Sequence, residues 1–185
     1  GFCLVGSEMC IRDRSPPMPE LSARETEALE TYRAYVAQRE RIQAGEAGWD
    51  TLGEFFTDDA VFIDPAWGRV EGIEAVKEFL EESMVGLDDW SFPERWTMVD
   101  GDRIVTMYEQ IIPGADDGER EHYHQAGISL LYYAGDGKFS YEMDLMNMGH
   151  INQDLKAAQW MPKGDFNVPP HEPVRDYHRP GGAAF

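Results

Sequence analysis

About halfway along this chain the spacing of apolar residues changes from a helical period to a period of two, and that switch limits the folds open to it. Before the switch, Leu29, Tyr32, Tyr35/Val36 and Ile42 recur every three to four residues, with Glu, Arg and Gln on the other face. Ser22-Ala-Arg-Glu25 supplies a capping box at the start of that run, so a long first helix ending near Gly45 is predicted. Trp49, Leu52 and Phe55/Phe56 predict a short second helix broken by Asp58-Asp59. Ala60–Asp64 reads as a short strand ended by Pro65, with Trp67-Gly68 in the following loop. Ile73, Val76, Phe79/Leu80 and Met84 predict a third helix over 72–85. After it, Trp90, Phe92, Trp96 and Met98 alternate with polar residues. Asp100-Gly-Asp-Arg103 is a hairpin turn signal, Ile104–Ile112 the return strand and Pro113–Gly118 a longer turn. His122–Tyr133 and Phe139–Met148 are two more strands about the turn Ala134–Gly137, and 151–160 is a short closing helix. Helices gathered at the front and hairpin-joined strands behind them mean α+β: three helices packed on a curved, mostly antiparallel sheet. Such a sheet with helices on one face is a half-open cone, whose mouth suits a small ligand.

The two ends read differently from this domain. Residues 1–17 are too weakly apolar for a signal peptide. Their string CLVGSEMCIRDR resembles translated adapter sequence found in environmental assemblies, so the natural chain is expected to start near Met18. Both cysteines, Cys3 and Cys10, lie in that leader. Residues 162–185 carry five prolines and end Gly-Gly-Ala-Ala-Phe, which forbids helix or central strand and predicts an extended arm with Trp160, Phe166 and Tyr177 as possible anchors. The domain proper is then 18–161.

Charge removes several function classes. The 16 Lys+Arg against 35 Asp+Glu leave a formal net charge of −19 over 185 residues. Both ends are neutral, so the whole excess falls within 18–150. A polyanion needs a basic footprint to displace its counterions, so no nucleic acid is expected as partner, and no anionic membrane surface. No apolar run approaches a membrane span. A cytoplasmic protein without a disulfide framework is expected.

Phe55-Phe-Thr-Asp-Asp-Ala-Val-Phe-Ile-Asp-Pro65, followed by Gly72-Ile-Glu-Ala-Val-Lys-Glu-Phe79, resembles the nuclear transport factor 2-like / SnoaL-like superfamily. Gly127–Phe139 and Tyr141-Glu-Met-Asp144 resemble its last two strands. Ketosteroid isomerases, limonene epoxide hydrolases and polyketide cyclases belong to that superfamily, and fold does not fix function. Resemblance to the isomerase puts Asp64 where that enzyme keeps its carboxylate base, ringed here by Phe62 and Trp67; burial there raises a carboxyl pKa and suits proton abstraction beside a carbonyl. The isomerase's tyrosine corresponds to Tyr35, with Tyr32 as alternative, and its protonated aspartate falls at Ser129. Resemblance to the hydrolase puts its second catalytic aspartate at Asp144, its arginine and first aspartate at Tyr108 and Gln110, and its water-holding pair at Phe62 and Asp64. The hydrolase's Asp-Arg-Asp device is therefore absent. SnoaL-like cyclases also keep an acid/base aspartate on the last strands, which again points to Asp144.

These comparisons imply Asp64 and Asp144 as an acid/base pair, with Tyr35, Phe62, Trp67, Tyr108, Gln110 and Ser129 around the substrate. Two carboxyls in one low-dielectric pocket do not both ionise readily. The implied chemistry is isomerase, cyclase, hydratase or hydrolase type, on a small apolar carbonyl or epoxide substrate. The alternative is a non-catalytic ligand-binding or dimerisation module of the same fold. A homodimer is expected. No cofactor is implied, because there is no phosphate-cradling glycine loop, nucleophile elbow or Cys/His pair. His122 and His124 share a strand face, but the register that turns Ser129 inward turns both outward, so no metal site is expected. His150 reads as a helix-start residue, and Met98, Met107, Met143, Met146 and Met148 as core or an adaptable pocket lining.

Overall fold

The computed structural model describes residues 20–114 and 121–183. The leader, with both cysteines, and most of the turn expected at Pro113–Gly118 lie outside the described residues.

Helix α1 (Ala23–Gln43) opens on the expected capping box: the Glu25 N–H donates to Ser22 Oγ (3.2 Å) and the Ser22 N–H to Glu25 Oε2 (2.8 Å). Glu25 Oε1 also accepts from the Gly101 N–H, tying the helix start to a distant hairpin. A 3-10 helix (Trp49–Phe55) follows, then strands β1 (Phe56–Asp64) and β2 (Gly68–Glu71) and helix α2 (Ile73–Glu82). Strands β3 (Glu94–Asp100), β4 (Arg103–Pro113), β5 (His122–Gly135) and β6 (Lys138–Met146) form the meander, and helix α3 (Met148–Ala157) closes it. The sheet order is β2-β1-β6-β5-β4-β3, antiparallel throughout except for the β1–β6 pair. Tyr32, Leu52, Phe56, Val76 and Phe139 fill the main core between the helices and the concave sheet face.

Three expectations need correction. First, β1 starts at Phe56, so Asp58-Asp59 lies in a strand rather than breaking a helix; both side chains are solvent-facing, and a register shift against β6 between Phe56 and Val61 absorbs the polar stretch. Second, Gly68–Glu71 is a strand, not loop. It hairpins back on β1 with Asp64 opposite Gly68, and four edge residues are too few to show a period in sequence. Third, Trp90, Phe92, Trp96 and Met98 do not share one face. The strand begins only at Glu94, and a bulge between Glu94 and Trp96 inserts one residue against β4. Side chains on either side of a one-residue insertion face opposite ways. Trp90 and Phe92 therefore line the interior, while Trp96 and Met98 stand on the outer face, 45% and 61% exposed.

The outer face carries an apolar ladder. Trp96, Met107, Ile128 and Leu145 are successive cross-strand partners, and so are Met98, Val105, Leu130, Met143 and Ile63. Met98, Met107 and Met143 thus belong to this face, and only Met146 and Met148 of the methionine group reach the cavity.

Beyond α3 the proline-rich segment runs extended over the domain. The Phe166 ring meets Trp160 edge-on at 6.0 Å, and Asn167 Nδ2 donates to the Glu82 carbonyl (3.1 Å). The Arg69 N–H donates to Val174 O, Tyr141 Oη to Tyr177 O, and the Arg179 guanidinium stacks on the Tyr132 ring at 3.9 Å. Two glycines make room for it. A Cβ on Gly86 would lie 2.5 Å from Asp165 O, and one on Gly68 2.7 Å from Pro173 Cβ, and both glycines adopt positive φ.

Candidate functional site

The concave face of the sheet, α1, α2, α3 and the arm line a cavity of about 280 Å³. Strand alternation decides what enters it. On β4 the inward set is Ile104, Thr106, Tyr108, Gln110 and Ile112, all buried. Register carries that face across the sheet, with Thr106 opposite Ser129 and Ser129 opposite Asp144. The parallel pairing of Phe62 with Glu142 and Ile63 with Met143 then brings Asp64 level with Asp144. Tyr35, Phe62, Asp64, Trp67, Tyr108, Gln110, Ser129 and Asp144 all line this one cavity. Tyr32, the alternative to Tyr35, is in the core instead.

Tyr108 owes its position to Gly127, its partner across β5: a Cβ there would lie 2.3 Å from the phenol ring. The ring lies over the bare backbone, and Gly127→Ala would displace it.

Two wall residues went unread in sequence. Glu142 is 4% exposed and accepts a hydrogen bond from Tyr35 Oη (3.0 Å). It lies two residues before Asp144, so period-two spacing alone assigns it to the same face. Arg39 lies one helical turn beyond Tyr35 and lines the same cavity, although helix α1's arginines read as a solvent face. Its Nε is buried without a hydrogen-bond partner.

Burial is the main influence on the acids. It pushes Asp144 up to about 7, aided by the charge of Asp64; the hydrogen bond from Ser129 Oγ and the charge of Arg39 oppose it. Burial, and then the charge of Asp144, holds Glu142 well above the usual carboxylate range, against the Tyr35 hydrogen bond. Asp64 is also raised by burial, but less freely. Its Oδ1 accepts from the Ala66 and Trp67 N–H groups (both 2.7 Å), which favours the ionised form. That bond pair makes Asp64 the cap of the turn after β1 as well as a cavity residue. Burial also raises the phenols of Tyr35 and Tyr108, so both are donors at neutral pH.

The site therefore holds one carboxyl pushed strongly towards its protonated form, one pushed up to about 7, and one anchored by backbone. Around them stand phenol, serine and amide groups that can orient an oxygen. The other end is aromatic: Trp90 meets Trp160 at 5.4 Å, and Trp49 meets Phe92 at 6.4 Å, both edge-on.

The remaining polar candidates lie elsewhere. His122 and His124 are about half exposed, and His124 pairs with Glu109 (3.1 Å) outside the cavity. The backbone N–H of His150 is capped by Asn147 Oδ1 at the start of α3. Among the described residues no group of three His, Cys, Asp or Glu side chains is placed to hold a metal ion. Nor is any described helix long and apolar enough to cross a membrane.

Comparison with known proteins agrees with this architecture. A protein assigned as a SnoaL-like polyketide cyclase from Jannaschia sp. CCS1 superposes with a TM-score of 0.58 at 20% identity, over 78% of this chain and all of that one. An LEH-like epoxide hydrolase from M. tuberculosis gives 0.54 at 16% identity, over 73% and 93%. TerC, crystallised with polyporic acid, gives 0.53 at 18% identity, over 70% and 98%. At these identities the likeness speaks for the fold. No curated protein sequence matches. The family model of the SnoaL-like domain matches residues 23–141, well over half of the chain, and the chain belongs to that family.

Proposed function

We propose that the cavity performs cofactor-independent acid/base catalysis, of isomerase, cyclase, hydratase or hydrolase type, on a small apolar molecule bearing a carbonyl or an epoxide. The observation that carries this reading is Asp144: a carboxyl pushed up to about 7 on the wall of a largely apolar cavity is matched to moving protons at neutral pH. Ionised Asp144 takes a proton from the substrate and, once protonated, returns it at a second position. Ser129 fixes the rotamer of Asp144 by donating to it. Protonated Glu142 and the phenol of Tyr108 stabilise charge growing on the substrate oxygen. Asp64 is the second acid/base group. Its test is Asp64→Asn against a panel of enones, enol ethers and epoxides. Loss of about tenfold or more in kcat/KM is expected, and unchanged turnover would remove Asp64 from the chemistry.

The backbone anchoring of Asp64 favours a second reading, a non-catalytic module that binds a small apolar ligand. That module would be stabilised thermally by such a ligand through mass action while turning over no member of the panel.

The same proposal takes the protein as a cytoplasmic homodimer. The two-row apolar ladder on the outer face supports the dimer, because a face with Trp96, Met98 and Leu145 all about half exposed or more is costly to leave in water. Light scattering is expected to return twice the chain mass, and Met98→Lys to return the single chain mass. A parent that scatters as one chain would remove the dimer.

A further inference from the structure

We propose that Gln110 and Trp90 form a subsite that reads a hydroxyl group on the ligand, with Gln110 Oε1 accepting from the hydroxyl and Trp90 Nε1 donating to it. Both residues are more than nine-tenths buried, at 6% and 8% exposure, and both line the cavity. Neither polar atom has a hydrogen-bond partner. Buried polar groups are nearly always paired, so two orphans on residues that line one cavity point to a polar atom of the ligand as the missing partner.

Backbone pairing brings the two side chains together. Ser91 forms a bridge with Ile111, donating to and accepting from its backbone. Trp90 is thereby opposite Ile112 and diagonal to Gln110 on the same face, the relation in which aromatic and long side chains reach one another. Neighbouring polar side chains are already engaged. Gln125, the cross-strand partner of Gln110, donates to Asp154 on α3. The nearby Trp160 donates its own Nε1–H to Asp89 (3.2 Å), which leaves Trp90 as the unpaired indole of the pair. One acceptor beside one donor is the complement of a hydroxyl, which offers both; a ketone or an ether would leave Gln110 Oε1 unpaired, and a hydrocarbon would leave both.

This inference deepens the proposed function by giving the substrate a hydroxyl on its aromatic-facing side. It concerns binding alone, so its failure and that of the acid/base reading are separable: turnover by Asp144→Asn tests the one and the affinities below test the other. The probes are 2-naphthol and naphthalene, equal in ring system and differing by the hydroxyl. The parent is expected to bind 2-naphthol at least tenfold more tightly, by calorimetry or fluorescence. Gln110→Leu, which keeps the volume and removes the amide, is expected to bring the two within about threefold of each other. Trp90→Phe removes the donor alone and is expected to reduce the preference too; it carries the decision if Gln110→Leu does not fold. A parent that binds the two probes equally, or neither, overturns the proposal. So does a preference that survives Gln110→Leu undiminished, because the hydroxyl would then be read by the acids at the other end of the cavity.

Discussion

Asp144→Asn is expected to lower kcat/KM by about 10²–10⁴-fold on whichever member of the substrate panel the parent turns over, the usual worth of a positioned acid/base group. The amide keeps the shape of the carboxyl and still accepts from Ser129, so the loss belongs to proton transfer rather than to packing. The pH profile of the parent tests the same assignment independently. A base must be ionised to act, and Asp144 titrates at about 7. The rate is therefore expected to rise about tenfold per pH unit between 5 and 6.5 and to level off above 7.5. Glu142 and Asp144 face each other's fields, so the apparent midpoint belongs to the pair. A flat profile from 5 to 8, or an Asp144→Asn variant of parental activity, would place the base elsewhere.

The second large effect is on stability. Asp144 and Glu142 both have folded-state pKa values above their ordinary ones. Such groups bind more protons folded than unfolded, so the stability they contribute is complete below about pH 4 and declines as pH rises. For Asp144 the loss runs from about 4 to its folded value of about 7, and Glu142 extends it upward. From Asp144 alone this amounts to something on the order of 3 kcal/mol at pH 8, allowing for screening by water in the cavity. The lowered acids Glu25, Glu109 and Asp176 act in the opposite sense, losing their contribution only as pH falls below the ordinary carboxylate range. Maximum stability is accordingly expected on the acid side of neutrality. Glu142→Gln still accepts from Tyr35 without carrying a charge. It is expected to raise Tm at pH 8.5 by roughly 6 °C or more, and to change it much less at pH 5. Equal shifts at both pH values would show that Glu142 is not a protonated acid in the fold.

The fold was legible because its two halves obey two different periods, and each period is a direct readout of geometry. Ser22 and Glu25 marked the start of α1 for a similarly local reason, since the capping box is complete within four residues. What escaped was set by register. The bulge at Glu94–Trp96 moves two large apolar residues to the other side of the sheet, and nothing local in Arg95 announces it. β2 escaped because its partner, rather than its own sequence, makes it a strand. Alternation and resemblance together selected eight wall residues on one cavity, yet Glu142 and Arg39 were passed over. Charged side chains default to the solvent side in any pattern argument, whereas these two line the cavity. Asp64 shows the reverse: its bonds to Ala66 and Trp67 are those of an ordinary turn cap, and only its place on the cavity wall sets it apart.

The arm has a practical consequence. Phe166, Asn167 and Pro169 are part of the cavity wall, and a few residues later the same segment lies against Tyr141 and Tyr132 on the opposite side of the sheet. An affinity tag or fusion partner attached C-terminal to this arm is expected to pull on a segment that forms part of the cavity wall. Affinities measured on protein carrying such a tag would report the tether along with the pocket.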